Sequence, residues 1–265
     1  MINSSNSSYS YNNKINYKRI FGLVGRGISY SFSKDYFMKK FKKESIHEVT
    51  YEIFDIPKIE DVLSIFNNPF LKGCNITIPY KKSIIPFLNK LTPEAKSIGS
   101  VNVVNINEKR HWIGYNTDVL GFEFSFKNDI NKLSYKNPKA LILGTGGVSK
   151  SISFVLKQMG IPYKYVSRRK NKDFLVYEEV NQYLLEDYKI IINCTPLGTF
   201  PNIHSCPPLP YQSISSQHYL YDLVYNPSKT LFLKKGEEKG STIRNGLEML
   251  RIQAEESWKI WNSLK

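Results

Sequence analysis

The chain has 265 residues, enough to bury a substantial core, and we predict two modest domains rather than one large one. No apolar run reaches the length of a transmembrane helix and no secretory leader is recognisable, so we expect a cytoplasmic protein without a membrane partner. Three cysteines without a C-x-x-C pair and four isolated histidines argue against a disulfide framework and predict no metal site.

The formal net charge of +14 raises the hypothesis of nucleic-acid binding, because clustered Lys and Arg side chains bind phosphates. The lysines are spread over every segment, however, and no helix-turn-helix, RNP or zinc-finger pattern accompanies them. We therefore predict no nucleic-acid partner and expect the charge to favour anionic small molecules.

Residues 1–18 are rich in Ser, Asn and Tyr without periodicity, and we predict a disordered tail there. Residues 19–119 then alternate short strands with helices, a pattern typical of a mostly parallel sheet in an α/β domain. The predicted strands are 20–24, 50–54 and 73–78, with 101–106 and 112–115 as a hairpin-like pair. The predicted helices are 34–43, 57–67, 81–88 and one that begins at Thr92 and Pro93.

Polar side chains follow several of these strands. Ser31 and Ser33 come after the first strand, and two hydroxyls at this spacing can donate to one carboxylate, although a serine-rich loop alone is usually a helix cap. Asn75 and Thr77 alternate along the third strand, so we expect both to point to one face. Lys81 stands at the predicted start of the next helix.

Two more polar residues lie near the end of the first domain. Asn102 lies on a later predicted strand, as Asn75 and Thr77 lie on the third, and Asp118 lies at the junction with the second domain. The loops that follow the strands of open α/β sheets are where ligands bind. We therefore expect an active site in the cleft between the two domains.

Residues 120–245 hold a second series of predicted strands, at 139–143, 162–166, 189–193, 219–223 and 241–244. A glycine turn follows the first of them and consists of Gly144, Thr145, Gly146, Gly147 and Val148. Such glycines let the backbone turn sharply and approach a diphosphate at a helix N-terminus. Ser149 replaces the third small residue of the usual fingerprint, so an ordinary glycine turn remains the alternative.

The next strand of this domain indicates which dinucleotide binds. It ends in Ser167, Arg168 and Arg169, where an NAD site presents Asp or Glu to the ribose hydroxyls. A carboxylate would repel a 2′-phosphate, whereas a guanidinium binds one with paired donors. The pattern therefore predicts NADP, with a solvated basic turn as the alternative.

The C-terminal segment 246–265 has the periodicity of one amphipathic helix. We expect this helix to complete the first domain, which then comprises residues 19–119 and 246–265. Its predicted apolar stripe consists of Leu247, Leu250, Ala254, Trp258, Trp261 and Leu264.

Seven motifs follow one another along the chain: Asn75-Ile-Thr-Ile-Pro-Tyr-Lys81, Gly99-Ser-Val-Asn102, Gly114-Tyr-Asn-Thr-Asp118, Gly144-Thr-Gly-Gly147, Asn193-Cys-Thr-Pro-Leu-Gly198, Tyr221-Asp-Leu-Val-Tyr225 and Asn245-Gly-Leu-Glu-Met-Leu250. This series resembles that of the shikimate dehydrogenase family, which includes quinate-using members, over nearly everything after Lys18. The resemblance implies a Rossmann-like NADP domain. It also implies NADP-dependent interconversion of shikimate and 3-dehydroshikimate in chorismate and aromatic amino-acid biosynthesis.

The resemblance also implies roles for individual residues. Lys81 and Asp118 match the catalytic pair, and an ammonium beside a carboxylate can supply the proton that reduction of a ketone requires. A purely structural ion pair is the alternative. The matched substrate-binding residues are Ser31, Ser33 and Tyr225 for the carboxylate and Asn75, Thr77, Asn102, Asp118 and Gln253 for the ring hydroxyls; Thr195 and Gly246 match cofactor contacts.

Three positions depart from the family pattern. Tyr30 and Lys34 replace the usual His and Pro around the two serines, and Ser167 replaces a frequent Asn. These changes leave open a quinate-using relative with relaxed cofactor choice. A catalytically inactive ligand-binding homologue is a further alternative, against which the retained Lys81 and Asp118 count. Monomer and homodimer are both compatible with the sequence.

Overall fold

The computed structural model describes residues 19–29, 31–133 and 135–263. The predicted tail 1–18, Tyr30 and Leu264 lie outside the described residues. None of the helices within the described ranges combines the length and the hydropathy needed to cross a bilayer.

The first sheet has six strands in the order β2-β1-β3-β5-β6-β4. The pairs β1–β2, β1–β3 and β4–β6 are parallel, whereas β3–β5 and β5–β6 are antiparallel. Its elements are β1 (Arg19–Gly25), α1 (Phe32–Lys43), β2 (Val49–Asp55), α2 (Val62–Phe66), β3 (Leu71–Ile76), β4 (Lys90–Leu91), α3 (Pro93–Ile98), β5 (Val103–Ile106) and β6 (Trp112–Tyr115).

The second sheet has six parallel strands in the order β12-β11-β10-β7-β8-β9. Its elements are α4 (Asp118–Leu133), β7 (Ala140–Leu143), α5 (Gly147–Gln158), β8 (Tyr163–Ser167), β9 (Phe174–Val176), α6 (Gln182–Asp187), β10 (Ile190–Asn193), β11 (Tyr219–Asp222), α7 (Leu231–Glu237), β12 (Thr242–Arg244) and α8 (Leu247–Asn262). The strand order reverses between β7 and β10, so a crevice opens at their carboxyl ends. The predicted α/β fold with a Rossmann-like sheet is confirmed.

The central strands of the second sheet could be predicted from the sequence because they are buried on both faces. Every residue of β7, β10 and β11 is buried, because helices cover both faces of a parallel sheet. Such strands need continuous apolar runs, and Ala140–Leu143 and Ile190–Asn193 supply them with one polar exception, Asn193.

The last helix, α8, packs against both sheets. Met249, near its start, belongs to the core under the second sheet, whereas Ala254 and Trp261 belong to a core of the first. The Trp261 indole Nε1 donates to the Val104 carbonyl at 3.1 Å. Leu247 and Leu250 of the predicted stripe are only half-buried, and Ser257 is buried instead. The domain boundaries at residues 119 and 246 stay predictions.

Several predicted elements differ from the structure. The helix predicted over 81–88 is wrong: the segment forms turns and a short 3-10 helix, Ile85–Phe87, because Pro86 lacks the N–H that an α-helix requires. The helix predicted over 57–67 consists of a 3-10 turn, Ile59–Asp61, followed by the five residues of α2. The third strand ends at Ile76, before Thr77. The predicted elements did not include α4, α6, α7, β4 and β9.

Candidate functional site

Lys81 and Asp118 form an ion pair where the two sheets meet. The Lys81 Nζ lies 2.7 Å from Asp118 Oδ2, and the two side chains are 18% and 5% exposed. Asp118 is the first residue of α4, where the helix dipole favours a negative charge. Lys81 is held by its own carbonyl, which accepts from the Val101 N–H at 2.8 Å. The pair is thus an anchored ammonium with some access to solvent.

Asn102 connects this pair to α8. Its Nδ2 lies 3.0 Å from Asp118 Oδ1, from Gln253 Oε1 and from Thr117 Oγ1. Its Oδ1 accepts from the Thr117 N–H at 2.7 Å, which fixes the orientation of the amide. Asn102 is therefore in direct contact with two other predicted site residues, Asp118 and Gln253.

Asn75 and Thr77 lie at the carboxyl end of β3. The Asn75 amide accepts from the Tyr51 hydroxyl at 2.8 Å and donates to Ser257 Oγ at 2.9 Å. Thr77 follows the strand, and a Cβ on Gly25 would lie 2.6 Å from its methyl group, so only glycine fits opposite it. Both predicted residues thus lie at the sheet edge that also carries Asn102.

Ser31, Ser33 and Tyr225 meet at the start of α1. The Ser31 side chain caps this helix and accepts from the Ser33 N–H at 3.3 Å. The ring of Tyr225, from the second sheet, packs against Phe32 with centroids 5.7 Å apart. A capped helix N-terminus with adjacent hydroxyls favours an anion. Two interpretations of Ser31 and Ser33 follow from the sequence, a helix cap and a carboxylate site. The structure shows the helix cap, and the carboxylate site stays a prediction for the same residues.

The glycine turn lies directly against Lys81. A Cβ on Gly147 would lie 2.9 Å from the Lys81 Cβ, whereas a Cβ on Gly146 would have no atom of the described residues within 4 Å. Gly144 has a φ of 98°, which favours glycine, and Thr195 packs against it. Thr145 and Val148 complete the turn at the N-terminus of the twelve-residue α5. The open space and the helix N-terminus fit a dinucleotide diphosphate.

The predicted phosphate clamp lies at the end of β8. The Ser167 Oγ accepts from the Arg169 N–H at 3.3 Å and stabilises the turn. Arg168 and Arg169 are exposed, and neither guanidinium hydrogen bonds or forms an ion pair with any residue that the structure describes. Lys170, by contrast, pairs with Glu179 at 2.7 Å. Two guanidinium groups are therefore available to a phosphate.

Gly246 lies at the start of α8, beside the end of β11. A Cβ there would lie 2.1 Å from the Leu223 carbonyl oxygen, and the Gly246 N–H donates to the Val224 carbonyl at 3.1 Å. A backbone this close to the strand end leaves no room for a side chain. Gly246 and Thr195 therefore lie at the ends of neighbouring strands, β11 and β10.

Comparison with known proteins identifies the family. A family model described as the shikimate dehydrogenase substrate binding domain matches residues 23–104. A chain of Clostridium botulinum named shikimate dehydrogenase (NADP(+)) is 36% identical over 250 residues, which cover 91% of this chain and 95% of the relative. The chain belongs to the shikimate dehydrogenase family. The resemblance inferred from the seven motifs is thus confirmed.

Two solved structures of the family have the same fold. Shikimate dehydrogenase 1 from Peptoclostridium difficile is 36% identical, with a TM-score of 0.78 over 93% of this chain and 92% of that one. Shikimate 5-dehydrogenase from Thermus thermophilus, solved in complex with NADP(H) and shikimate, is 26% identical. Its TM-score is 0.80, and the match covers 93% of this chain and 94% of that one.

Four residues that lie next to the predicted site residues were not themselves predicted: Tyr51, Ser100, Thr117 and Ser257. Thr117 lies inside a motif of the family, so its position next to Asp118 was a usable signal. Ser100 is fully buried, and its hydroxyl has no hydrogen-bond partner among the described residues. Tyr51 and Ser257 resemble ordinary core and helix positions in the sequence. Within the described ranges, no group of three or more His, Cys, Asp or Glu side chains is arranged to hold a metal ion.

Proposed function

We propose that this protein is an NADP-dependent shikimate dehydrogenase, which interconverts 3-dehydroshikimate and shikimate. The observation that carries the proposal is the Lys81–Asp118 pair, 2.7 Å apart, packed against Gly147 of the glycine turn. A proton source and a dinucleotide site are thereby adjacent. Membership of a family whose relatives are named shikimate dehydrogenase (NADP(+)) supports the same reaction.

The cofactor would lie along the carboxyl ends of the second sheet. Gly144, Thr145, Gly146, Gly147 and Val148 would hold its diphosphate at the N-terminus of α5. Ser167, Arg168 and Arg169 would bind the 2′-phosphate, with Thr195 and Gly246 nearer the nicotinamide. When bound, the nicotinamide supplies or accepts the hydride.

Lys81 donates the proton when the ketone is reduced and accepts it in the reverse reaction. When the ketone carbon gains a hydride, its oxygen takes a proton from the Lys81 ammonium and the product is an alcohol; the reverse reaction returns that proton. Asp118 holds the ammonium within reach through its Oδ2. Asn102 holds the other carboxylate oxygen in place.

The substrate would lie between α1 and the Lys81–Asp118 pair. We assign its carboxylate to Ser31, Ser33 and Tyr225, at the capped N-terminus of α1. The ring hydroxyls are assigned to the side chains that surround the ion pair, namely Asn75, Thr77, Asn102, Asp118 and Gln253. A cytoplasmic monomer or homodimer without a nucleic-acid or membrane partner, with domains divided as the sequence predicts, remains part of this proposal.

The decisive experiment measures NADP reduction by the purified chain at about 340 nm with shikimate as substrate. Quinate and NAD are tested in parallel under the same conditions. We expect turnover with shikimate and NADP to exceed that of every other combination. Absence of turnover would favour a ligand-binding homologue, and equal rates with quinate or NAD would favour the relaxed relative.

A further inference from the structure

A chain of buried hydrogen bonds lies behind the assigned substrate residues. It begins at Tyr51 on β2, whose side chain is fully buried and whose hydroxyl lies 2.8 Å from Asn75 Oδ1. It continues from Asn75 Nδ2 to the Oγ of Ser257, which is also fully buried, at 2.9 Å. It ends on α8, where Ser257 Oγ donates to the Gln253 carbonyl at 2.7 Å.

The direction of every bond in this chain follows from its members. Burial raises the pKa of Tyr51 well above its ordinary value, with hydrogen bonding from Ser33 acting in the opposite sense. The phenol therefore keeps its hydrogen and donates it to Asn75. The Gln253 carbonyl can only accept, so Ser257 Oγ gives it its hydrogen and must accept from Asn75. The Asn102 carbonyl also only accepts, so the Asn75 amide nitrogen faces this side and its oxygen faces Tyr51.

The two hydrogens of the Asn75 amide nitrogen are both engaged. One is directed at Ser257 Oγ and the other at the Asn102 carbonyl, at 3.4 Å. The amide oxygen accepts from Tyr51 and retains one lone pair. A substrate group that meets Asn75 must therefore donate a hydrogen, which a ring hydroxyl has and the reacting carbonyl lacks.

We infer that Tyr51 and Ser257 are positioning residues, which hold the Asn75 amide in the orientation that accepts from a hydroxyl of the substrate ring. Ser257 also ties this amide to the backbone of Gln253, whose side chain contacts Asn102. The inference rests on the proposed function, because it specifies how the assigned ring site is held. Among the described residues, neither contacts Lys81 or Asp118, although Ser257 Oγ lies 3.4 Å from the hydroxyl of Thr117, the residue before Asp118. We therefore expect their loss to affect substrate binding more than proton transfer.

The chain offers a matched control for each residue. The Tyr221 side chain is as buried as that of Tyr51, and its hydroxyl bonds to another hydroxyl, that of Ser125, at 2.7 Å. Ser125 donates to the Gly121 carbonyl four residues before it, as Ser257 does to Gln253, and it is also fully buried. Both controls lie under the second sheet.

The test compares Tyr51→Phe and Ser257→Ala with Tyr221→Phe and Ser125→Ala. We expect each variant of the first pair to raise the KM for shikimate about tenfold, the effect of one buried hydrogen bond, with kcat reduced less than about threefold. The KM for NADP and the pH profile of kcat should stay those of the parent. The control variants should keep the parent KM for shikimate even where their melting temperatures fall equally.

Two results would overturn the inference. One is a shikimate KM for Tyr51→Phe and Ser257→Ala that matches their controls; the other is an equal rise in the KM for NADP. Should Tyr51→Phe fail to fold, Ser257→Ala decides alone, because it releases the same amide from its other side. The parent is assayed first: without turnover, the proposed function and this inference fail together, whereas an active parent with unaffected variants contradicts the inference alone.

Discussion

Lys81 lies beside both Asp118 and Gly147 of the glycine turn, and this position is the basis of its proposed catalytic role. The alternative of a purely structural ion pair predicts that its loss lowers stability without affecting catalysis in the folded protein. A catalytic role predicts the opposite pattern, because the proton source disappears while the fold of both sheets remains.

Lys81→Ala should lower kcat about a hundredfold or more, which is the usual effect of removing a general acid–base group. The KM values for shikimate and NADP should change much less, and steady-state kinetics measures all three. Lys139→Ala is the control, because Lys139 also pairs with an aspartate, Asp187, at 2.7 Å, but precedes β7 at the opposite end of the second sheet. Near-normal turnover of Lys81→Ala would remove this residue from the mechanism.

Arg168 tests the choice of cofactor at a single side chain. Arg168→Ala should raise the KM for NADP about tenfold or more and leave the KM for NAD nearly unchanged, because only NADP carries the 2′-phosphate. Lys170→Ala, which removes a neighbouring cation already paired with Glu179, should change neither value. Equal changes for both dinucleotides would mean that Arg168 only supports the turn.

We expect Asp222 to make the stability of the protein depend on pH. It is fully buried at the end of β11 and accepts from Asn193, the Val224 N–H and Thr230. Burial raises its pKa to about 7, and these hydrogen bonds act in the opposite sense. The pKa in the unfolded chain is about 3.9, so the stabilisation is complete below that pH and is lost as the pH rises through 7.

Asp222→Asn removes this titration and supplies the reference for its measurement. Urea unfolding at about pH 5 and pH 6 should show the free energy of unfolding of the parent, relative to the variant, falling by about 1.4 kcal/mol as the pH rises by one unit. All other groups titrate alike in both proteins and cancel. A difference that does not change with pH would show that Asp222 is ionised throughout.

At the scale of elements, the contact between α5 and the turn after β3 joins the two sheets at the site. Gly147, at the start of α5, lies against the Cβ of Lys81, which is the rigid base of that side chain. A Cβ on Gly146 would have no described atom within 4 Å, and this open space is the one assigned to the diphosphate. We therefore predict different effects for alanine substitutions at these two adjacent glycines.

Gly147→Ala should lower kcat on the order of ten- to a hundredfold, because the added methyl group displaces Lys81 from its reacting position. Gly146→Ala should instead raise the KM for NADP with a smaller change in kcat. Its φ of −71° accommodates alanine without strain. If Gly147→Ala and Gly146→Ala both changed only the KM for NADP, the contact with Lys81 would have no catalytic consequence.

Elements with a strong local signal were predictable from sequence. The apolar strands β7 and β10, the glycine turn and the stripe of α8 each depend on residues that are close together in the chain. The helix predicted over 81–88 was wrong because the prediction did not take account of Pro86, whose missing N–H limits the segment to 3-10 geometry.

The part of the site that sequence did not predict depends on distant partners. Ser257 meets Asn75, 182 residues earlier, and nothing near Ser257 in the chain distinguishes it from a surface serine. Tyr51 lies on a predicted strand and has the pattern of a core residue, which it also is, stacked on Phe37. Only the packing of α8 across β3 shows that these two hydroxyls converge on one amide.

On the scale of the whole molecule, α8 is shared between two cores. Met249 packs under the second sheet, and Trp261, three turns later, stacks on Phe21 of the first with ring centroids 4.7 Å apart. Gln253 lies between them and contacts Asn102. Since one continuous helix contributes to both cores, we expect the two sheets to lose their structure together.

Trp261→Ala tests this coupling. The substitution removes a buried ring and its hydrogen bond to Val104, and should lower the free energy of unfolding by about 3–5 kcal/mol. Urea unfolding followed by circular dichroism measures that loss, and NADP binding across the same urea series reports on the second sheet. We expect both midpoints to fall together, although the described contacts of Trp261 are with residues packed on the first sheet.

Trp258→Ala is the control for this change, because Trp258 lies on the same helix and packs edge-on against Phe21, but is only half-buried. Its loss should cost less than half as much, since less apolar surface leaves the core. If NADP binding in Trp261→Ala persisted to the parent midpoint after the circular dichroism signal had fallen, the second sheet would be stable without α8 docked on the first. The helix would then be a tether between two independent cores and would not unite them into one cooperative unit.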